Sequence, residues 1–221
     1  MKEKRVPEEN YDVAYSQPDW FGARESHLLE RYAAQIPDQA RVLDIGIGQG
    51  RNALPLARRG CRVTGIDPSP AAVEQVNARA SRENLPLQAF KMGFEDFDPQ
   101  EPFDAVLCFG LLQMLPPDRA ASLVDRLRRW TRSGGSLFLI AWHVDDPGFA
   151  NYCENWERTG LRSFRSPDGD RFRTFLGPRE VLQFFRGWHV IHHWEGLGPQ
   201  HRHGENPPER HGEVEVVLSR P

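Results

Sequence analysis

A doubly wound α/β fold, with a mainly parallel seven-stranded sheet closed by an antiparallel C-terminal hairpin, is predicted by three features of this 221-residue chain. Short runs rich in β-branched and aliphatic residues alternate with amphipathic helical stretches, as strand–helix–strand units require. The first run, "RVLDIG", opens straight into a glycine turn and a helix. A 39% apolar content at this length fills one sizeable core.

Leu28, Leu29, Tyr32, Ala33 and Ile36 recur at helical spacing until Pro37 stops them, and residues 1–36 are expected to form a helical cover. After the glycine turn, a helix from Asn52 to Arg59 is closed by Gly60, and "CRVTGID" is a second strand that carries Asp67 at its end. Pro70 to Arg82 reads as a helix, "LPLQAFKM" as the third strand and "FDAVLCFG" as the fourth. Between Pro117 and Arg132, Ala120, Leu123, Leu127 and Trp130 share one helical face, and "GSLFLIAW" follows as the fifth strand. From Asp145 to Phe175 the alternation gives way to Pro, Gly, aromatic and Arg residues, over a length too great for an ordinary connection. An inserted lid over 145–175 is expected within one domain spanning 1–221. Pro178 to Arg186 is a short helix. The last two strands, "WHVIHHW" and "EVEVVLS", are joined by the polar loop "EGLGPQHRHGENPPERHG".

A net charge of −3 offers no broad basic field, so a small-molecule substrate is expected as partner, with no nucleic acid and no membrane. No run approaches the ~18 apolar residues of a membrane span, and the first ten residues hold no apolar signal core, which points to a cytoplasmic protein. Cys61, Cys108 and Cys153 lie far apart without a C-x-x-C pair; the first two fall in strand-like runs where reduced, packed thiols are expected.

The turn itself reads Asp44-x-Gly46-x-Gly48-x-Gly50. Glycines admit a ligand close to the main chain, and the helix start offers backbone N–H groups. A dinucleotide fingerprint would need a third glycine where Arg51 stands, which disfavours a nicotinamide cofactor. A carboxylate at Asp44 would repel a pyrophosphate but suits an ammonium group, which S-adenosylmethionine has. Asp67, at the end of the second strand, can accept hydrogen bonds from both ribose hydroxyls. The competing reading makes Asp44 a turn cap and Asp67 a helix cap.

With those residues in view, "VLDIGIGQGRNALPLARRGCRVTGID" resembles the first half of class I S-adenosylmethionine-dependent methyltransferases, which have a Rossmann-like fold. The segments "FGARESHLLERY", "FGLLQMLPPDR" and "EVLQFFRGWHVIHHWEGLGPQHRH" are similar to the bacterial tellurite-resistance methyltransferases of the TehB type. The resemblance covers residues 20–144 and 174–219, and it implies S-adenosylmethionine as cofactor and S-adenosylhomocysteine as product. It places Gly46, Gly48 and Gly50 along the methionine part, Asp44 at the ammonium, Asp67 at the ribose and Arg24 at the carboxylate, where a plain surface charge is the alternative. The class has an acid at the adenine amino group where this chain has Gly93; Glu95, Asp96 or the Phe94 backbone is the substitute. Phe109, with Gly110, Leu111 and Leu112, is expected to wall the methyl group, core packing being the alternative for the leucines.

Methyl transfer from a sulfonium is an in-line displacement that needs alignment and exclusion of water, not a covalent intermediate. A soft nucleophile needs no general base, and an anionic one needs cations beside it. The tellurite family's G-x-x-H-R run is matched by His201 and Arg202, and its later basic residue by Arg210, which makes these three the candidate catalytic residues. His203 lies in the same loop. No spacing here matches a recognised metal motif, and no metal is expected. The lid and its base add Trp142, His143, Tyr152, Trp156, Phe164, Arg165, Arg171 and Arg173, whose aromatics suit a planar organic acceptor and whose arginines suit an oxyanion or carboxylate. The expected function is methyl transfer to a small anionic or soft nucleophile such as tellurite or selenite. A small organic acceptor, such as a thiol or thiopurine, is the alternative, and a non-catalytic cofactor-binding module a third reading.

Overall fold

The computed structural model describes residues 11–17, 19–202 and 206–221. Two helices, α1 (Tyr11–Tyr15) and α2 (His27–Tyr32), precede the sheet. Then β1 (Arg41–Ile45), α3 (Ala53–Arg58), β2 (Arg62–Asp67), α4 (Pro70–Arg82), β3 (Leu87–Lys91), β4 (Phe103–Phe109), α5 (Pro117–Trp130) and β5 (Thr131–Trp142) alternate as the sequence pattern predicts. The chain ends in α7 (Glu180–Phe184), β9 (His189–Leu197) and β10 (Gly212–Ser219).

The seven strands lie in the order β3-β2-β1-β4-β5-β10-β9. The first five are parallel, and β10 runs antiparallel to both β5 and β9. Between β1 and β4 the order of winding reverses, and the carboxyl ends of strands at such a switch point flank a ligand crevice. Alternation along β1 feeds two cores. Leu43 and Ile45 pack with α5 and α7, whereas Val42 packs with α2 and α3. Period-two alternation therefore puts Asp44 on the Val42 side, facing the N-terminal cover.

Local chemistry sets the helix starts. Ser69 accepts from the Ala72 N–H at 3.2 Å, and Pro70 stands at the first position of α4. Pro117 plays that part in α5, which buries Ala120, Leu123, Val124, Leu127 and Trp130.

The insert between β5 and α7 is a folded unit. It comprises α6 (Phe149–Asn155) and the antiparallel strands β6 (Glu157–Gly160), β7 (Ser163–Arg165) and β8 (Phe172–Thr174), in a separate three-stranded sheet. Trp142, Phe164 and Phe175 form its core, with Phe149, Tyr152 and Trp156 packed around them. The Thr174 hydroxyl donates to the Leu115 carbonyl at 2.7 Å, which joins β8 to the segment after β4. Cys61 and Cys108 are buried free thiols, while Cys153 is exposed on α6. Among the described residues, no helix is long and apolar enough to cross a membrane.

Candidate cofactor and acceptor site

Asp44 leaves β1 only 3% exposed, and its Oδ2 has no hydrogen-bond partner. Burial, followed by the nearby charge of Asp67, pushes this carboxyl up to about 7, against the opposing pull of Arg51. A buried acid with an orphan oxygen is costly unless a cation meets it. Asp67 pins the turn to the end of β2: its Oδ2 accepts from the Gly48 N–H and its Oδ1 from the Ser69 N–H, both at 2.9 Å. Burial raises the Asp67 pKa in spite of these two bonds. Each carboxylate oxygen keeps a further lone pair for a hydroxyl donor.

Above the turn lies Tyr15, the last residue of α1. Gly48 has φ +51°, and a Cβ there would come 2.9 Å from the Tyr15 hydroxyl oxygen, so both backbone sign and space demand glycine. Burial, then the charge of Asp67, raises the Tyr15 pKa well beyond the ordinary phenol range. The residues between the glycines hold this cover down. Gln49 donates to the carbonyls of Gln17 (2.8 Å) and Tyr15 (3.3 Å) and accepts from the Trp20 N–H at 2.8 Å. Arg51 donates to the Phe21 carbonyl at 2.6 Å, and Asn52 accepts from the Ser26 N–H at 2.8 Å. Tyr15, Gln49 and Arg51 were not legible as site residues in the sequence; the signals were the aromatic pair in "YDVAY" and the polar residues at the turn's variable positions. Arg24 is exposed, and the guanidinium near Asp44 is that of Arg51, whose pKa burial lowers against the pull of Asp44, Glu213 and Tyr15.

After β3, Phe94 is buried in the core. A Cβ on Gly93 would lie 3.0 Å from Glu95 Oε2, so the Glu95 carboxylate folds back over Gly93. Arg119 donates to Glu95 Oε1 at 2.6 Å and fixes it. Phe109 is half-buried at the end of β4. Leu112 belongs to the core, as its packing alternative requires, and beside it Gln113 is buried with Oε1 lacking a partner.

The β9–β10 loop reaches the carboxyl end of β5. His201 and Glu209 exchange backbone hydrogen bonds of 3.0 and 2.8 Å in an isolated antiparallel bridge. Arg210 donates to the Gly198 carbonyl at 2.8 Å, which commits part of its guanidinium to closing the loop. Arg202 is exposed, and His203 lies outside the described residues. His211 stacks on Trp142 with ring centroids 4.4 Å apart and lies 5.2 Å from the His201 ring. Burial opposes a charged His211, yet the hydrogen bond to Asp146, with the charges of Asp146, Glu209 and Glu213, holds its pKa above the ordinary value. Glu213, itself raised by burial and then by Glu215, feels both His211 and Arg51, which ties this loop to the glycine turn. Arg173 lies 5.2 Å above the Trp142 ring and 5.9 Å from that of Trp156, and Arg171 lies 5.4 Å from Trp156. Loop and lid therefore meet at Trp142, which is itself buried. Phe164 is fully buried in the lid core, Arg165 donates to the Gly169 carbonyl within the lid hairpin, and His143 is buried beside Asp145 and Glu195.

A switch-point crevice with a glycine turn, an acid at the end of β1 and an acid at the end of β2 defines a nucleoside-cofactor α/β domain. Residues 42–135 match the methyltransferase domain family, in keeping with the resemblance to class I S-adenosylmethionine-dependent methyltransferases. A probable S-adenosyl-L-methionine-dependent methyltransferase TehB of Haemophilus influenzae is 25% identical over 189 residues, 85% of this chain and 59% of that protein. The crystal structure of TehB from Haemophilus influenzae superposes with a TM-score of 0.70 at 20% identity, covering 96% of this chain and 66% of the other. A ubiquinone biosynthesis O-methyltransferase of Methylocella silvestris is 30% identical over 161 residues, 70% of this chain and 59% of that protein. The chain thus spans about three fifths of the length of these two curated relatives, 59% of each. S-adenosylmethionine is the cofactor of the class, and the residues present fit it: Asp44 offers an unpaired buried oxygen to an ammonium, and Asp67 offers two acceptors to a ribose.

Proposed function

We propose that the protein transfers a methyl group from S-adenosylmethionine to a small anionic or soft nucleophile. The observation that carries the cofactor assignment is the Asp44 carboxylate, buried, unpaired at Oδ2 and raised to about 7, which an ammonium would relieve. Bound S-adenosylmethionine supplies an electrophilic methyl on a sulfonium. This chain's residues do the rest. Asp44 holds the ammonium and Asp67 the ribose, Tyr15 covers the glycine turn, and Glu95 takes the adenine amino group in place of the acid missing at Gly93. Arg24 remains a candidate for the carboxylate, and Phe109 for the wall beside the methyl group.

The acceptor side is the surface around Trp142. Here His201 and Arg202 face the acceptor, with Arg210 closing the loop around them. Cations near a sulfonium repel it, so they are favourable there only if the acceptor brings negative charge. That supports an oxyanion of tellurium or selenium, or a thiolate, and such nucleophiles need no general base. A second reading, a small planar organic acceptor, is favoured by Trp142, Tyr152 and Trp156 standing at the same place, and by the named acceptor class of the ubiquinone relative.

The test is turnover with methyl-labelled cofactor over tellurite, selenite, thiols, thiopurines and small amines. S-adenosylhomocysteine should form with an anionic or thiolate acceptor. In the double variant His201→Ala/Arg202→Ala, kcat/KM should fall at least tenfold, about 1.4 kcal/mol, with cofactor affinity within twofold of the parent. Turnover with planar acceptors alone would select the second reading. Binding without any turnover would leave a cofactor-binding module.

A further inference from the structure

We propose that His201, Glu209 and His211 form a binding site for a divalent transition-metal ion of the zinc type, at the edge of the acceptor surface. Each residue presents one ligand atom, and these atoms lie within 4.8 Å of one another. The backbone brings them together. His201 and Glu209 are opposite partners in the antiparallel bridge, and opposite partners project to the same face. His211 follows Glu209 by two residues, the spacing that returns a side chain to that face. Its Nε2 is 3.9 Å from Glu209 Oε1. Ligand atoms around a tetrahedral ion with bonds of about 2.0–2.2 Å stand roughly 3.2–3.6 Å apart, so a side-chain adjustment of about 1 Å closes the set.

An independent observation comes from the partners behind the ligands. Asp146 is buried, and its Oδ2 accepts from His211 Nδ1 at 3.0 Å and from the Gly212 N–H at 3.0 Å. Its Oδ1 accepts from the Gly148 N–H at 2.7 Å, which locks the carboxylate in place. That bond keeps Nδ1–H on Asp146 and leaves Nε2 as the nitrogen at which a metal ion would replace the proton, the carboxylate–histidine arrangement that stands behind most metal-bound imidazoles. His201 Nδ1 lies 3.2 Å from the Pro199 carbonyl oxygen, the other partner type that orients a metal-bound ring. Two imidazoles and one carboxylate make a zinc-type donor set with a fourth position open. All three residues are half-buried, within reach of solvent, and His211 is shielded on one face by Trp142.

The spacing 201, 209, 211 corresponds to no metal motif because the bridge, not the local sequence, unites it. This inference stands whether or not the acceptor is an anion, although an ion there would draw an anionic oxygen or a thiolate toward the methyl group. The competing reading is an ion-pair cluster in which His211 sits between Asp146 and Glu209.

The experiment uses tag-free protein carrying Cys153→Ser, which removes an exposed thiol that could compete for the ion. Zn²⁺ is titrated against a chromophoric chelator, and Co²⁺ is followed by its visible absorption. One ion per chain is expected, with the Co²⁺ spectrum of a four-coordinate site. His201→Ala, Glu209→Gln and His211→Ala should each weaken Zn²⁺ binding at least tenfold. Asp146→Asn should weaken it about 10- to 100-fold, and His189→Ala, at the exposed start of β9, should change nothing. Absence of a one-to-one site at micromolar Zn²⁺, or full affinity in His211→Ala or Glu209→Gln, would overturn the proposal and leave the ion-pair cluster alone. Calorimetry with S-adenosylmethionine on the same variants separates the two readings: cofactor binding should persist in all of them, and its loss in the parent protein would count against the methyl-transfer reading instead.

Discussion

Asp44 and Asp67 share a buried turn but differ in what they lack. Asp67 is fastened by two backbone N–H groups, whereas Asp44 keeps an oxygen without a partner. Because burial and Asp67 raise the Asp44 carboxyl to about 7, it is mostly neutral in the free protein below that pH. A ligand ammonium stabilises the ionised form. Cofactor affinity should therefore rise with pH, by more than tenfold between about pH 5.5 and 7, with proton release in that window. Calorimetry in two buffers of different ionisation enthalpy reads both, Asp44→Asn should be weak and flat, and a flat parent profile would remove the ammonium from Asp44. Asp67→Asn, which keeps one acceptor, should lose at least tenfold in cofactor affinity, about 1.4 kcal/mol. Gly48→Ala places a methyl in a left-handed backbone against Tyr15, at a cost on the order of 1–3 kcal/mol. Thermal melting and cofactor titration should both register it; an unchanged melt would mean that Tyr15 does not press on the turn.

The N-terminal segment and the insert between β5 and α7, the proposed cover and lid, are held in different ways. Polar bonds hold the cover: Gln49 bonds the backbone of Tyr15, Gln17 and Trp20, and Gln75 donates to the Tyr15 carbonyl at 2.6 Å. Gln49→Ala should speed hydrogen exchange in residues 11–21 and weaken the cofactor several-fold while β1 to β5 exchange as before. Equal exchange would shift the credit to Arg51 and Asn52. The lid is held by aromatic packing around Phe164 and Phe175, both essentially unexposed. Phe164→Ala should cost about 3–5 kcal/mol, confined to 149–175, and hydrogen exchange there should rise with the main sheet unaltered. This insert was expected from its broken pattern, but not its sheet. Its strands are three or four residues long, too short to display a period of two.

Across the molecule, the proposed cofactor and acceptor surfaces are brought together by the pairing of β10 with β5. That pairing sets Trp142 opposite Glu213, next to His211, and so joins lid, loop and glycine turn. Trp142→Ala should lower kcat/KM for the acceptor at least tenfold and leave cofactor affinity within about twofold, under either acceptor reading; a parallel loss of both would move Trp142 into the cofactor site.

The alternation of strands and helices, the glycine turn and its two acids were all readable from the sequence, because periodicity and spacing are local properties and the first βαβ unit is built from neighbours in the chain. The antiparallel C-terminal hairpin was expected from the last two strand-like runs, whereas the insertion of β10 between β5 and β9 was not. What tertiary structure alone decided are meetings between distant segments: Tyr15 on Gly48, Arg51 rather than Arg24 near Asp44, Glu95 over Gly93, and His201 with Glu209 and His211 around the edge of Trp142. Such contacts have no period and no fixed spacing. They depend on where crossovers and strand pairing return the chain, and burial then decides which of the many charged side chains, equivalent in sequence, is stripped of water and made to act.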